Sequence, residues 1–295
     1  MSSTEYQIKT ENITSNSEET STVSKVSYEI ENANDHNLGD DKIRGQLEKL
    51  KAKGTFPNNL NYLKSYTDPN TGTTSTAFLN KDTGKVTVGM AGTNVHGKQL
   101  KNTLNPFNFI KDKQEAIDAR GSMLDFAADT NIGLNTVTDK DVRFKNTQQF
   151  IKDIKKDYEI DTITGHSLGG RDAIIIGVSN DIDNVVAYNP APLTVKDFRR
   201  IIKGPISSLH DKEKDAYIES FIKSYDGNIL RIVSDKDELN GIIKKTEYVS
   251  AGNEMVIKNG KGHSMLGFLG KREQREIKAE LEKLKGYQDA NNKSF

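Results

Sequence analysis

Residues 160–178 read Ile-Asp-Thr-Ile-Thr-Gly-His-Ser-Leu-Gly-Gly-Arg-Asp-Ala-Ile-Ile-Ile-Gly-Val. An apolar strand over 160–164 runs into a glycine-rich turn, and an apolar helix carrying Ala173, Ile174, Ile175, Ile176 and Val178 follows at once. Within the turn, Gly165-His166-Ser167-Leu168-Gly169 has the form G-x-S-x-G. In a chain with 23 glycines the pattern by itself is weak, and the strand before it and the helix after it give it meaning. A serine at so sharp a strand-to-helix turn sits in strained backbone with its hydroxyl presented outward. Small residues two positions to either side let strand and helix approach. The helix then directs its first amides and positive dipole end toward developing negative charge. Ser167 is therefore the candidate nucleophile.

Outward from this turn, strands and helices alternate. A helix is predicted over 147–158, strands over 185–188 and 229–233, and a closing Lys/Glu helix over 271–285 with Ile277, Leu281 and Leu284 on one face. Upstream, the runs 62–66, 76–79 and 86–90 are separated by turn residues at 69–72 and 82–84, which predicts an antiparallel meander. The fold class expected is α/β: a mainly parallel central sheet flanked by helices, with an antiparallel edge meander. Ile43, Leu47 and Leu50 behind Asp40-Asp41 predict a capped helix at the start of this domain, assigned to 38–295. Residues 1–37, rich in Ser, Thr, Glu and Asn, read as a mobile polar arm, with a partner-docking segment as the alternative.

Composition excludes some classes. The 295 residues carry 42 Lys+Arg and 42 Asp+Glu, so no bulk charge draws the chain to nucleic acid or to anionic lipid. Cysteine is absent, which excludes disulfides and thiolate metal sites. No stretch approaches the roughly 20 apolar residues that span a bilayer, so an integral membrane protein is not expected. The acidic N-terminus lacks the apolar run of a Sec-type signal, and the expectation is export by a non-Sec route or a cytoplasmic location.

A serine nucleophile needs a base and an acid, which in the α/β-hydrolase fold follow it in the order acid, then histidine. Of five histidines, His36, His96 and His166 do not follow Ser167. His166 adjoins it, on an elbow that turns neighbouring side chains away. His210 stands in a charged surface stretch, whereas His263 lies in the loop Asn259-Gly260-Lys261-Gly262-His263-Ser264, after the last strand. The acid is expected just past the strand over 229–233, where Asp235 and Asp237 both qualify and spacing does not separate them.

With these residues in place, the stretch from about 60 to 270 resembles the class 3 (fungal-type) lipase family of α/β-hydrolases. Thr164-Gly165-His166-Ser167-Leu168-Gly169-Gly170 is similar to that family's elbow residue for residue. Val88-Gly89-Met90-Ala91-Gly92-Thr93-Asn94 resembles its strand ending in Arg-Gly-Thr, with Ala91 in place of the arginine. Residues 185–190 look like its next strand and loop, and Arg231-Ile232-Val233-Ser234-Asp235-Lys236-Asp237 like its acid strand. Arg171 departs from the small residue usual after the elbow glycines, and the spacing from acid to histidine is short.

The resemblance implies Asp237 rather than Asp235 as the acid and an oxyanion hole from the amides of Thr93 and Leu168. It implies an acyl-ester hydrolase, a lipase or phospholipase A acting on glycerolipids, with no metal or cofactor. The alternatives are a short-chain soluble esterase and a non-catalytic binding module on a hydrolase scaffold. The expected partner is a lipid or ester substrate, with transient contact at a membrane surface and no nucleic acid. A lid is expected within 95–125, where Leu100, Leu104, Phe107, Phe109 and Ile110 cluster, or in a helical insert over 195–226. The chain also resembles, more narrowly, lipase effectors exported by Gram-positive bacteria through type VII systems; for such an effector an immunity or chaperone protein is the expected partner.

Overall fold

The computed structural model describes residues 5–68, 72–91, 140–193, 210–237 and 251–292. Two helices come first, α1 (Glu19–Asp35) and α2 (Asp40–Ala52). The strands β1 (Leu60–Thr67), β2 (Thr74–Asn80) and β3 (Val86–Met90) follow. Then come α3 (Lys140–Lys155), β4 (Ile160–His166), α4 (Leu168–Ser179) and β5 (Asn184–Tyr188). The chain continues with α5 (Asp211–Lys223), β6 (Asn228–Ser234) and β7 (Asn253–Ile257). A 3-10 helix, Met265–Phe268, leads into α6 (Lys271–Asn292).

The seven strands form one sheet in sequential order. β1, β2 and β3 pair antiparallel, and β3 through β7 pair parallel. This is the α/β-hydrolase arrangement expected from the sequence, with the meander at one edge. Parallel register aligns Met90 with Gly165, His166 with Tyr188, and Tyr188 with Ile232. The segments that leave β4, β5 and β6 therefore emerge side by side along one edge of the sheet.

Topology decides what covers each face. Adding strands always in one direction by right-handed crossovers puts the connecting helices on a single face. There, Phe150, Ile151 and Ile154 of α3, Ala173 to Val178 of α4 and Ile218 of α5 close over Val88, Ile163, Val185 and Ile229. A parallel sheet must be covered on both faces, so the chain ends supply the second layer. Val23, Val26 and Ile30 of α1 pack with Ile43 and Leu47 of α2 over Leu60, Tyr62 and Phe78. Ile277 of α6, Met265 and Phe268 cover Val186, Tyr188, Leu230 and Ile232.

This corrects the expectation of a mobile arm over 1–37. From residue 5 onward the segment is ordered, and α1 lies across β2, β3 and β4. Beside Val23, Val26 and Ile30, its interface carries a row of small hydroxyls. Ser24 Oγ lies 2.8 Å from Thr164 Oγ1, Ser27 Oγ lies 2.7 Å from Thr76 Oγ1, and Thr20 Oγ1 lies 2.7 Å from the Tyr188 hydroxyl. Glu18 caps the helix, accepting from the Thr20 and Ser21 amides at 2.7 and 2.8 Å. Satisfied in this way, buried polar groups contribute a modest net stabilisation, where unsatisfied ones would each cost about 1–3 kcal/mol. Gly89 permits the close approach: a Cβ there would fall 2.2 Å from Ser27 Oγ. Among the described residues no helix is long and apolar enough to cross a membrane.

Candidate active site

β4 ends at His166 and α4 begins at Leu168, which leaves Ser167 as the single residue of the turn. Its backbone has φ 57° and ψ −124°, a conformation that costs a non-glycine residue roughly 1–3 kcal/mol. Its surroundings hold it there. The Ser167 amide donates to Tyr188 O at 3.0 Å, and its carbonyl accepts from Ala191 N at 2.8 Å and Arg171 N at 3.1 Å. Strand and helix come so close that a Cβ on Gly165 would lie 2.4 Å from Gly169 O, so only glycine fits at that position. A serine at a helix N-cap ordinarily turns its hydroxyl onto the first-turn amides. Ser167 makes no such bond, and its hydroxyl faces His263 instead.

His263 Nε2 lies 2.8 Å from Ser167 Oγ, and His263 Nδ1 lies 3.2 Å from Asp237 Oδ1. The Asp237 side chain is fully buried and that of His263 is 10% exposed. Asp235, the other candidate carboxylate, is exposed and accepts from Gly260 N at 3.1 Å, pinning the loop that carries His263. His210 is exposed at the start of α5, its amide bonded to the Glu213 carboxylate at 2.9 Å. Leu168 opens α4, so its amide belongs to the first turn, where helices lack internal acceptors. Thr93 and the stretch over 95–125 lie outside the described residues, as does 194–209 of the insert. In the rest of the insert Ile218 is fully buried in the core beneath α5, with Phe221 and Ile222 packed against it, which makes that stripe core rather than lid.

Three further residues shape the site, and the sequence reading did not single them out as part of it. Asn189 has φ 38°, a conformation asparagine tolerates, and its side chain joins two loops. It accepts from Ser234 N at 2.8 Å and donates to Gly262 O at 3.0 Å. The signal available was an Asn-Pro pair directly after a strand. His166 does turn away from the Ser167 hydroxyl, yet its Nε2 lies 2.6 Å from the His263 carbonyl oxygen. Its Nδ1 lies 3.0 Å from the Tyr28 hydroxyl on α1, a contact with no sequence signal. Burial, with His263 close by, lowers the His166 pKa to about 3, so the ring is neutral at ordinary pH.

Among the described residues no group of three or more His, Asp or Glu side chains is arranged to hold a metal ion. A cavity of about 80 Å³ opens at the opposite, N-terminal ends of β4, β5 and β6, lined by Glu18, Glu19, Asp161, Asn184 and Asn228. It is remote from Ser167 and too small for an acyl chain.

No protein-family model and no curated protein matches the sequence. Solved structures similar to the chain include lipase II from Rhizopus niveus, at 14% identity and a TM-score of 0.40, covering 82% of this chain and 79% of that one. A lipase from Rhizopus microsporus var. chinensis is similar at 16% identity and a TM-score of 0.37, over 68% of this chain and 62% of that one, less than two thirds of its length. A triacylglycerol lipase from Penicillium expansum is similar at 14% identity and a TM-score of 0.37, over 70% of this chain and 72% of that one.

Proposed function

We propose that the chain is a serine acyl-ester hydrolase, a lipase or phospholipase A, working through an acyl-enzyme on Ser167. One observation carries the reading: an imidazole whose two nitrogens face a strained serine hydroxyl at 2.8 Å and a buried carboxylate at 3.2 Å. His263 Nε2 takes the proton as Ser167 Oγ attacks the ester carbonyl carbon. Asp237 accepts from Nδ1–H, keeps the ring in that tautomer and stabilises the imidazolium. The 3.2 Å contact is long for a charge-assisted bond, and such bonds tighten as the transition state forms.

The Leu168 amide, with that of Thr93, would hold the tetrahedral oxyanion; each such donor contributes about 2.7–4 kcal/mol of transition-state stabilisation. His263 then protonates the departing alcohol. Water, deprotonated by the same ring, attacks the acyl-enzyme, and the imidazolium returns that proton to Ser167 Oγ as the acyl bond breaks and the acid leaves. The chain residues named supply every proton transfer in this sequence. A lipid substrate is favoured over a short soluble ester by the apolar residues Leu100, Leu104, Phe107, Phe109 and Ile110 and by the likeness of the elbow and acid strand to class 3 lipases. Export of the type VII kind is the narrower part of the proposal and rests on sequence likeness alone.

The test is an acyl-chain-length series of esters, a diacylglycerol and a phospholipid, each offered to the wild type and to Ser167→Ala. The expected result is hydrolysis of long-chain lipid by the wild type and none by the variant. Turnover surviving in Ser167→Ala removes the mechanism, and turnover of short soluble esters alone removes the lipid assignment.

A further inference from the structure

We infer that Tyr28 and His166 are positioning residues for His263, holding its main chain while Ser167 engages its ring. The inference rests on the catalytic reading of Ser167 and His263 above. His263 sits in a loop that is soft by composition: Gly260 and Gly262 both adopt positive φ, at 64° and 58°. A catalytic base on such a loop needs anchors, because a misplacement of 1 Å costs about a hundredfold in rate. The loop has two on the sheet side, Asn189 at Gly262 O and His166 at His263 O.

The second anchor has a defined chemistry. A carbonyl oxygen only accepts, so His166 Nε2 carries the proton that bridges the 2.6 Å to His263 O. In a neutral ring Nδ1 is then bare, and it accepts from the Tyr28 hydroxyl at 3.0 Å. The same hydroxyl lies 3.1 Å from His166 O, so its single proton is shared between the ring and the main chain of His166. With the other tautomer, bare Nε2 would face the carbonyl oxygen and the anchor would become a repulsion. The His263 carbonyl oxygen thus selects the tautomer, and Tyr28 donates to the nitrogen that this tautomer leaves bare.

The consequence is geometric. Consecutive residues of the elbow grip His263 at two points, Ser167 at Nε2 of the ring and His166 at the backbone carbonyl, and the two imidazoles lie 4.8 Å apart. One dipeptide thus holds both the ring and the main chain of the base, alongside Asn189 at Gly262 O and Asp235 at Gly260 N. α1, far from the elbow in sequence, becomes part of the catalytic apparatus through Tyr28.

The experiment compares wild type, Tyr28→Phe, His166→Leu and His166→Gln on two readouts. The first is ester turnover, resolved into kcat and KM. The second is the downfield proton resonance of His263 Nδ1–H donating to Asp237, which reports ring order without turnover. The expected result is a kcat loss of about a hundredfold in His166→Leu and of roughly tenfold in Tyr28→Phe, with KM unchanged and the resonance broadened in both. His166→Gln, whose amide can donate to the same carbonyl, should recover part of kcat.

A folded His166→Leu with wild-type kcat and a sharp resonance overturns the inference, as does His166→Gln behaving no better than His166→Leu. Should His166→Leu fail to fold, Tyr28→Phe, which loses one oxygen, decides on the same two readouts. Should the wild type hydrolyse no ester, the hydrolase reading fails by itself. The resonance still judges the anchor then: broadened in Tyr28→Phe it stands, unchanged it falls.

Discussion

The hydroxyls of Ser24 and Thr164 meet at 2.8 Å in the interior, joining the first helix to the strand that leads into Ser167. Thr164 Oγ1 also donates to Val186 O at 2.8 Å, so α1, β4 and β5 share one hydrogen-bonded node. α1 is therefore a structural layer, and its closest approach to the sheet runs through Ser24, Ser27 and Gly89. Gly89→Ala tests that spacing. The added Cβ would lie 2.2 Å from Ser27 Oγ and 2.7 Å from Val23 Cγ1, and overpacking of this kind costs about 1–3 kcal/mol. Gly89→Ala should lower the urea midpoint, and adding Ser27→Ala should recover part of the loss by removing the nearer contact. Equal midpoints for wild type and Gly89→Ala would mean that the helix does not sit this close.

The elbow should store measurable strain. Ser167→Ala and Ser167→Gly both lose the hydroxyl and its contact with His263, and differ only in how they tolerate φ 57°. Glycine adopts that region freely and alanine does not. Ser167→Gly should therefore be the more stable of the two by about 1 kcal/mol or more, read from chemical denaturation. Ser167→Ala matching or exceeding it would show that the turn relaxes to an unstrained conformation when the side chain is cut back.

What the sequence made legible follows from the physics of each element. β4, the elbow and α4 stand out because the helix carries an apolar run from Ala173 to Val178 broken only by Gly177, and close approach of strand and helix demands glycine. β1 to β3 stand out through their turns. α1 was hidden because hydroxyls share its buried face: beside Val23, Val26 and Ile30 stand Thr20, Ser24 and Ser27, residues that read as solvated when nothing indicates that they meet Tyr188, Thr164 and Thr76. β7 was hidden because it is a short edge strand, with Val256 half exposed and Glu254 paired to Arg231 at 3.1 Å. Chain order narrowed the base to His263 by elimination, but two aspartates in one loop differ only in direction, which a sequence does not record. Asp237 turns inward to the imidazole and Asp235 outward to Gly260 N. His166 points away from the Ser167 hydroxyl, and its link to the His263 main chain appears only in three dimensions.

That difference in direction gives a sharp pair of variants. Asp237→Asn keeps the shape but loses the acceptor that fixes the His263 tautomer, a change that in this role lowers kcat roughly ten-thousandfold. Asp235→Asn weakens a single exposed contact to Gly260 N and should leave kcat within about threefold, since surface changes of this kind shift energies by about 0.5 kcal/mol or less. Turnover with saturating ester and labelling of Ser167 by a fluorophosphonate should agree. A reversed ranking would move the acid role to Asp235.

The buried His166 should leave a mark on stability against pH. An exposed histidine in the unfolded chain titrates near 6.5, whereas burial lowers the folded value to about 3. Above pH 6.5 neither state holds the extra proton, and the neutral ring contributes its full stability. Between 6.5 and 3 the unfolded chain binds a proton that the folded chain refuses, so stability falls as pH falls, by roughly 1.4 kcal/mol per unit. Glu19 works in the opposite sense: desolvation raises its pKa against the opposing pull of hydrogen bonds from Thr87 and Asn80, which favours the folded state as acid is added. The histidine contribution is therefore read as a difference between wild type and His166→Gln, which keeps Glu19 and cannot titrate at position 166. From pH 6.5 to 4.5 the wild type should lose roughly 2–3 kcal/mol more than the variant, measured by urea unfolding at each pH. Parallel curves would mean that water reaches the ring and that its hydrogen bonds to Tyr28 and His263 O do not hold it neutral.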